Sequence, residues 1–249
     1  MTYSAFEQFE IIRVIPIHPF GNLDISITNS TIFMGLAVGV FYFLYISNIK
    51  TGFLVPERWQ SVLEIVYQNV YNIIKDNLGK EGNKFFPFIF TLFMFIAIMN
   101  MFGIVPYAFS VTSHMVITFG ISLSIFLGCV ILGLINFRSQ FFAMFIPSGS
   151  PLGMAPFLVL VELISFVSRA LSLGLRLAAN ITAGHLLLAI ISGFAWTMLI
   201  SGGFTSIAAL FPIAILTFIT VLEMAVALIQ AYVFTLLTAI YINDAIHLH

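Results

Sequence analysis

The chain has 249 residues, of which 61% are hydrophobic and only 8% are charged, whereas a soluble globular domain carries about 25% charged residues. Its formal net charge of −1 leaves no basic surface of the kind that binds nucleic acid. It also contains no GxxxxGK[ST] or GxGxxG run to hold nucleotide phosphates. The composition predicts a polytopic membrane protein with a single membrane domain over 1–249.

Three apolar segments in the first half of the chain have the length of conventional membrane spans, since about 20 residues cross an apolar core of about 30 Å. They cover 31–47, 86–105 and 115–136. Between the first two, 56–79 carry apolar residues at helical spacing opposite charged and amide residues. This pattern predicts an amphipathic helix that lies on the membrane surface or along partner helices.

Six basic residues that flank these spans share one side. If the spans alternate in direction, one face of the membrane receives Lys50, Arg58, Lys75, Lys80, Lys84 and Arg138. The opposite loop, PYAFSVTSH, contains no lysine or arginine. The positive-inside bias then assigns the basic face to the cytoplasm-equivalent side and the N-terminus to the other side.

The second half of the chain follows a loop rich in proline, glycine and serine, predicted at 139–156. Beyond it, 157–200 and 204–242 are two apolar stretches separated by SGG. Both are longer than a perpendicular span requires, so each is expected to be tilted, broken or nearly in the membrane plane. The chain thus divides into N-terminal spans over 1–138, the loop, and a C-terminal pair over 157–249.

Each long stretch carries one stripe of polar side chains. In the first, polar residues recur at steps of three, four, three, four and four, which a helix of 3.6 residues per turn places on one side. These residues are Glu162, Ser165, Arg169, Ser172, Arg176 and Asn180. In the second, Glu223, Gln230 and Asp244 follow at intervals of seven and fourteen residues and share one side. His185 comes nine residues after Arg176 and therefore points away from it.

Arg176 is the most informative of these residues, because a guanidinium stays charged when it is buried. A charge at bilayer depth costs from about 3 to more than ~10 kcal/mol, which makes it a functional candidate by default. An alternative is that the acids and arginines of the two stripes form structural ion pairs between helices. His185 has the alternative role of a core histidine, and no second histidine or cysteine stands at ligand spacing to it, so no metal site is expected.

Non-functional alternatives also remain for several of the other polar residues. The hydroxyls of Ser165, Ser172 and Thr220 are candidates for bonds to their own helix carbonyls, as is common in apolar helices. Asp244 lies near the end of the chain, where a solvated terminus is the alternative to a functional role.

The most specific pattern is the run RALSLGLRLAANITAGHLL, preceded by VELISFVSRA. Together with IVPYAFSVTSH upstream and LEMAVALIQAYVFTLLTAIYINDAIHLH at the end, it resembles subunit a of the rotary ATP synthase over essentially the whole chain. The length, the EQFEI start and the DAIHLH end are most similar to the fungal mitochondrial form. The resemblance implies an all-α fold in which two long, strongly tilted helices form a hairpin against a ring of proteolipid c subunits. It also implies a location in the mitochondrial inner membrane.

The same resemblance implies roles for the charged residues. Arg176 matches the family's essential arginine, which faces the proton-carrying carboxylate of the c-ring, favours its ionised form and opposes a proton leak. Glu162 matches the acid of the matrix-side half-channel. Glu223 and His185 match the pair that lines the half-channel from the intermembrane space, with Asp244 near that route. Supporting positions are Asn180, Gln230 and, without a firm role, Arg169.

The implied function is that of a proton-conducting stator subunit, which is not an enzyme on its own and binds no nucleotide. Its implied partners are the c-ring, the peripheral stalk and other membrane-sector subunits, the lipid bilayer and the transported protons, with no nucleic acid and no cofactor. Two alternatives belong to other classes: a transporter or channel that acts alone, and a structural scaffold whose charges only pair helices. The first is disfavoured because no internal repeat is evident.

Overall fold

The computed structural model describes residues 10–17, 26–49, 58–105, 108–138 and 154–246. Within these ranges the chain forms α-helices and one antiparallel strand pair. The elements are β1 (Arg13–Ile15), β2 (Ile27–Thr28), α1 (Asn29–Ile49), α2 (Arg58–Leu78), α3 (Phe86–Ile104), α4 (Met115–Phe137), α5 (Ala155–Ile200), α6 (Phe204–Ala208) and α7 (Leu210–Ile246). The sequence did not predict the strand pair, because strands of three and two residues are too short to produce an alternating pattern.

Five segments of the described chain are long and apolar enough to cross a membrane. They are Asn29–Ile46, Phe86–Ile104, Met115–Phe137, Phe157–Ile200 and Thr205–Ile246. The first three confirm the conventional spans, and helices α1, α3 and α4 end close to the predicted limits. The last two confirm the pair of long apolar stretches.

Helix α2 forms where the amphipathic segment was predicted, and only one half of its apolar face is covered. The buried residues lie toward its C-terminus and are Val70, Ile73, Ile74 and Leu78. The uncovered apolar residues lie toward its N-terminus and are Trp59, Val62 and Ile65. The chain turns at Gly79, whose φ of 59° favours glycine, and Gly82 then contacts Ile74. The uncovered half stays available to lipid or to partner helices.

Two predictions fall wholly or partly on residues that the structure does not describe. The predicted loop at 139–156 lies outside the described residues up to 153, and Lys50 and the side chain of Lys80 lie outside them as well. Helix α5 begins at Ala155, so the last two residues of the predicted loop belong to the helix. Pro156 is compatible with this start, because proline fits the first turn of a helix, where its missing N–H is not needed.

The chain divides into two compact units. Unit 1 is built from Met1–Thr51, Met94–His114 and Leu177–Ala231. Unit 2 is built from Gly52–Phe93, Met115–Arg176 and Tyr232–His249. Helices α3, α5 and α7 therefore contribute one segment to each unit.

In unit 1, side-chain donors connect neighbouring elements through backbone carbonyls. Asn100 on α3 donates from Nδ2 to the carbonyl of Ala227 on α7, at 3.2 Å. Thr182 on α5 donates from Oγ1 to the carbonyl of Ser113 in a short 3-10 turn before α4, at 3.2 Å. These bonds give two side-chain donors a backbone acceptor, as is usual for buried polar groups.

In unit 2, helices α4 and α5 approach each other closely. The hydroxyl of Ser122 on α4 donates to the carbonyl of Ala170 on α5. One turn further along α5, a Cβ placed on Gly174 would lie 3.1 Å from the carbonyl oxygen of Thr118. Small residues on α5 thus allow the two backbones to pack together, as is usual between membrane helices.

Helices α5 and α7 form an antiparallel hairpin. The turn after α5 contains two glycines with φ of 72° and 66°, Gly202 and Gly203. Within unit 1, Gly184 of α5 lies against Glu223 of α7. Within unit 2, Arg169 of α5 contacts Asp244 of α7. Arg169 precedes Gly184 on α5, whereas its partner Asp244 follows Glu223 on α7. The two helices therefore run in opposite directions.

The length of these two helices exceeds what an upright span needs. Helix α5 contains 46 residues and α7 contains 37. At a rise of 1.5 Å per residue they extend about 69 Å and about 56 Å. Helices this long fit an apolar core of about 30 Å only at a steep tilt. The fold is therefore an all-α polytopic membrane protein with three conventional spans and a long helical hairpin.

Candidate functional site

The polar stripe predicted on the first long stretch lies on one continuous helix, α5. Arg169 and Arg176 are exposed on it, and Glu162 is partly exposed. The buried residues of the same helix occupy another face and include Ala170, Leu173, Leu177 and Ile181. Helix α5 therefore packs through its small and aliphatic residues and leaves Arg169 and Arg176 exposed.

Arg169 is the centre of an ion cluster in unit 2. Its Nη2 lies 3.6 Å from Oε1 of Glu162, two turns earlier on α5. Its Nη1 lies 3.8 Å from Oδ2 of Asp244 on α7. Both distances are longer than a charge-assisted hydrogen bond, and the Arg169 and Glu162 side chains are 41% and 44% exposed. Partly solvated ion pairs of this kind contribute about 0–1 kcal/mol each and rearrange easily.

Arg176, seven residues further along the same face, differs from Arg169 in its surroundings. Within the part of the chain that the structure describes, no carboxylate forms an ion pair with it. Tyr241 on α7 belongs to the same unit as Arg176. The Tyr241 hydroxyl is buried and forms no hydrogen bond with the described residues. Among the described residues, the exposed Arg176 guanidinium is thus without an acidic partner.

Glu223 lies in a very different environment, in unit 1. Its side chain is only 7% exposed, and neither carboxylate oxygen has a hydrogen-bond partner among the described residues. The carboxyl group occupies the space that a side chain at position 184 would fill. A Cβ on Gly184 would overlap Oε1 and lie 2.8 Å from Cδ of Glu223. An acid buried in this way must be protonated or in contact with water, because an isolated buried carboxylate is too costly.

His185, the neighbour of Gly184 on α5, lies beside Gly103 of α3. Its Nε2 is 3.6 Å from the position of a Cβ on Gly103, and its ring interacts with the Gly103 backbone. Gly103 and Gly184 thus make room for the imidazole and for the Glu223 carboxyl group. Each of the two titratable side chains thus lies against a glycine of unit 1, and their pairing stays a prediction.

The remaining predicted residues of unit 1 are amides. Gln230 on α7 is 6% exposed, and its Nε2 has no hydrogen-bond partner in the described part of the chain. Asn180 is partly exposed and lies one turn beyond Arg176 on α5. Thr220, on the same side of α7 as Glu223, donates to its own helix at the Leu216 carbonyl, 2.9 Å away. Its hydroxyl is thus bonded locally, which was one of the two alternatives.

Asp244 lies in a different group from the one in which the sequence placed it. The resemblance put it near Glu223 and His185, but its contact is Arg169, beside Glu162. Twenty-one residues separate it from Glu223 on α7, which corresponds to about 31 Å of helix. The geometry therefore groups Asp244 with Glu162 and Arg169 in unit 2.

Several residues of both groups were not singled out from the sequence. In unit 1 these are Asn100, Gly103, Ser110, Thr112 and Gly184, and in unit 2 Tyr241. Asn100 carried a usable signal, since it is a lone amide inside an apolar span. The glycines carried none, because only the packed structure shows which side chain fills the space beside them.

The polar turn before α4 contains one more titratable side chain outside the spans. His114 stacks on Phe109, with ring centroids 5.1 Å apart. Burial lowers the pKa of His114, so its imidazole is expected to be neutral near pH 7. Among the described residues, no group of three His, Cys, Asp or Glu side chains could hold a metal ion.

Comparison with known proteins gives consistent matches along the whole chain. A profile of the family described as ATP synthase A chain matches residues 28–243. ATP synthase subunit a of Marchantia polymorpha is 48% identical over 253 residues, which cover 100% of both chains. That of Chondrus crispus is 46% identical over 246 residues, which cover 99% of this chain and 97% of the relative.

A bacterial relative is almost as similar. ATP synthase subunit a of Paramagnetospirillum magneticum is 42% identical over 249 residues, which cover 99% of each chain. These relatives come from a plant, an alga and a bacterium. The expectation of a fungal form in the mitochondrial inner membrane therefore stays a prediction.

Proposed function

Because the chain belongs to the family of ATP synthase A chains, we propose that it carries protons to and from a c-ring carboxylate through two offset half-channels separated by Arg176. The family makes it a multi-pass membrane protein and the proton-conducting stator subunit of the ATP synthase membrane sector. The proposed location is the mitochondrial inner membrane. The proposed partners are the ring of proteolipid c subunits, the peripheral stalk and the other membrane-sector subunits.

The contrast between Arg169 and Arg176 is the observation that supports this proposal most strongly. Arg169 lies between two acids of its own chain, whereas Arg176 has no ion-pair partner among the described residues. Both are exposed on the same face of α5. A structural ion pair would account for Arg169, but it leaves the charge of Arg176 uncompensated. An acid supplied by a moving partner compensates it intermittently.

The chemistry follows from desolvation and from the permanent charge of arginine. A ring carboxylate that faces lipid is held in its protonated form, because the apolar surroundings disfavour its charge. Beside Arg176 the ionised form is favoured, so the ring releases its proton there and takes one up before returning to lipid. Lysine could lose its own proton in these surroundings, whereas arginine could not. One charge moved through 100 mV supplies about 2.3 kcal/mol to this cycle.

The two groups of polar residues are proposed as the two half-channels. Glu223 and His185 would relay protons on the intermembrane-space side, with Gln230 as a polar neighbour. Glu162 would serve the matrix side, and we assign Asp244 to this side because it shares the Arg169 cluster with Glu162. Asn180 continues the stripe next to Arg176. Side chains of these types suit the task, since a histidine or a buried acid changes protonation near neutral pH.

The test is the substitution Arg176→Ala in the intact complex. ATP-driven proton pumping into membrane vesicles is expected to be lost, while the complex still assembles with its c-ring and soluble head. Assembly is measured by native gel electrophoresis, and pumping by quenching of a pH-sensitive dye. Arg58→Ala is the matched control and should pump normally, because Arg58 is an exposed arginine on α2 that belongs to neither group.

A second measurement separates this function from the two alternatives. The purified subunit in liposomes should not conduct protons without a c-ring, whereas a channel that acts alone would conduct them. A scaffold whose charges only pair helices would keep coupled pumping in Arg176→Ala once the complex has assembled. Normal coupled pumping in that variant would therefore contradict the proposed role of Arg176.

A further inference from the structure

The segment between α3 and α4 contains hydroxyl groups that are buried in unit 1. Ser110 and Thr112 are only 2% and 1% exposed. Neither hydroxyl oxygen has a hydrogen-bond partner among the described residues. Their neighbour Ser113 is satisfied, because its hydroxyl donates to the Ser110 carbonyl at 2.6 Å. Buried hydroxyls are nearly always bonded, and water is the usual partner where the protein supplies none.

Ser110 is directed toward Gly103 and the imidazole of His185. A Cβ placed on Gly103 would lie 2.9 Å from the Ser110 Oγ and 3.6 Å from the His185 Nε2. The hydroxyl and the imidazole therefore flank the same point above the Gly103 backbone. Glycine leaves that point unfilled by a side chain, and any other residue would place a carbon atom there.

A second buried acceptor lies one turn earlier on α3. Asn100 is fully buried and donates from Nδ2 to the Ala227 carbonyl of α7. Its Oδ1 has no hydrogen-bond partner among the described residues. Ala227 is in turn one helical turn beyond Glu223, whose carboxylate oxygens are also without such a partner. In unit 1, polar atoms without a hydrogen-bond partner among the described residues thus include those of Ser110, Asn100 and Glu223.

We infer that Ser110 binds water next to His185, where Gly103 allows the hydroxyl and the imidazole to approach its backbone, and that this water joins the buried segment 108–114 to the Glu223 and His185 pair. The inference rests on the proposed function and extends its proton path to residues of the α3–α4 connection. A serine hydroxyl suits this role, since it donates one hydrogen bond and accepts others without holding a charge. The Asn100 Oδ1 is a further buried acceptor in unit 1 without a partner among the described residues.

Reaction with silver ion tests whether water reaches Ser110. Ser110→Cys places a thiol at this position in the intact complex, and silver ion reacts with thiols that are reached through water. We expect silver ion to abolish most of the ATP-driven pumping of this variant within the assay. The parent chain, which carries the buried Cys129, should keep its pumping.

A matched cysteine controls for reaction elsewhere on the chain. Ser192 on α5 is exposed, and its hydroxyl is bonded to the Ala189 carbonyl of its own helix. Ser192→Cys should pump normally with and without silver ion. Full pumping by Ser110→Cys in the presence of silver ion, under conditions that modify an accessible thiol, would overturn the inference.

Two substitutions then separate a path for water from mere packing. Ser110→Ala should lower pumping by about two- to tenfold, the loss expected for one hydrogen bond, and Ser110→Thr should restore most of it. Gly103→Ala should lower pumping as well, because its methyl group occupies the space beside His185. The double variant decides between the causes. If Gly103→Ala acts only by a clash with the Ser110 hydroxyl, adding Ser110→Ala brings pumping to the level of Ser110→Ala alone. If Gly103→Ala displaces water, the double variant pumps less than Ser110→Ala alone.

Failure of this inference and failure of the proposed function give different results. Loss of pumping in Arg176→Ala together with normal pumping in Ser110→Ala and Gly103→Ala would reject only the role of Ser110. Normal pumping in Arg176→Ala would reject the proton path itself. Assembly of each variant is checked by native gel electrophoresis, so a folding defect is recognised as such.

Discussion

The two polar groups of this chain differ in the exposure and pairing of their charged side chains. Around Arg169 the charges are partly exposed and paired, with acids of the same chain on two sides. Around Glu223 the acid is buried, and its oxygens have no hydrogen-bond partner in the described chain. An ion pair near a solvated surface changes the free energy of folding little in either direction. A buried acid without a partner destabilises the folded state, because it loses its hydration. The difference is consistent with the proposed role of Glu223 in proton transfer, because a buried acid without a partner does not stabilise the fold.

The largest effect is expected from removing the buried acid. Glu223→Ala should reduce ATP-driven proton pumping by about a hundredfold or more, the range typical of losing a positioned proton-transfer group. The assembled complex should keep, or slightly gain, thermal stability, because an unsatisfied buried acid is removed. Pumping and the melting temperature of the complex are the two measurements.

Its matched control is Thr217→Val on the same helix, an exposed residue whose hydroxyl bonds the Ile213 carbonyl. This variant should pump at the normal rate. A marked loss of stability in Glu223→Ala would break the comparison, since it would show that the carboxyl group holds the fold together.

An intermediate effect is expected from filling the space that the acid occupies. In Gly184→Ala the new methyl group overlaps the Glu223 carboxyl group, and overpacking of this kind costs about 1–3 kcal/mol. Pumping should fall about tenfold as the carboxyl group is displaced, because about 1.4 kcal/mol corresponds to tenfold. The measurement is ATP-driven pumping at equal amounts of assembled complex.

Gly193→Ala provides the matched substitution on the same helix, since no atom lies within 4 Å of its Cβ position. It should pump normally. Equal activity of the two alanine variants would mean that the Glu223 side chain can move away from position 184 freely. The Glu223 carboxyl group would then be held less tightly than its contact with Gly184 indicates.

The smallest effect is expected in the paired group. A double-mutant cycle of Asp244→Asn and Arg169→Gln should give a coupling free energy of about 0.2–1 kcal/mol, as for other partly exposed ion pairs. Thermal unfolding of the assembled complex at low and high salt measures it, and salt should weaken the coupling. A coupling free energy of several kcal/mol that does not change with salt would contradict the description of the Arg169 group as weakly coupled and partly solvated.

The sequence predicted the fold closely because apolar length and helical periodicity are local properties. Spans α1, α3 and α4 follow from runs of apolar residues, and the stripe on α5 follows from a turn of 3.6 residues. The strand pair before α1 was missed, since strands this short have no periodicity. The grouping of Asp244 with Glu223 rested on the family resemblance, whereas the contact with Arg169 depends on how α5 and α7 pair.

The sequence by itself determined which side chains share a face of each helix, because rise and rotation per residue are the same in every α-helix. It therefore placed Arg169 and Arg176 on one stripe. Only the tertiary structure decided that Arg169 meets Asp244 while Arg176 meets no acid of the described chain, and that Gly184 and Gly103 make room for Glu223 and His185. Contacts between helices depend on their register and closest approach, which are properties of the packed pair and not of either helix alone.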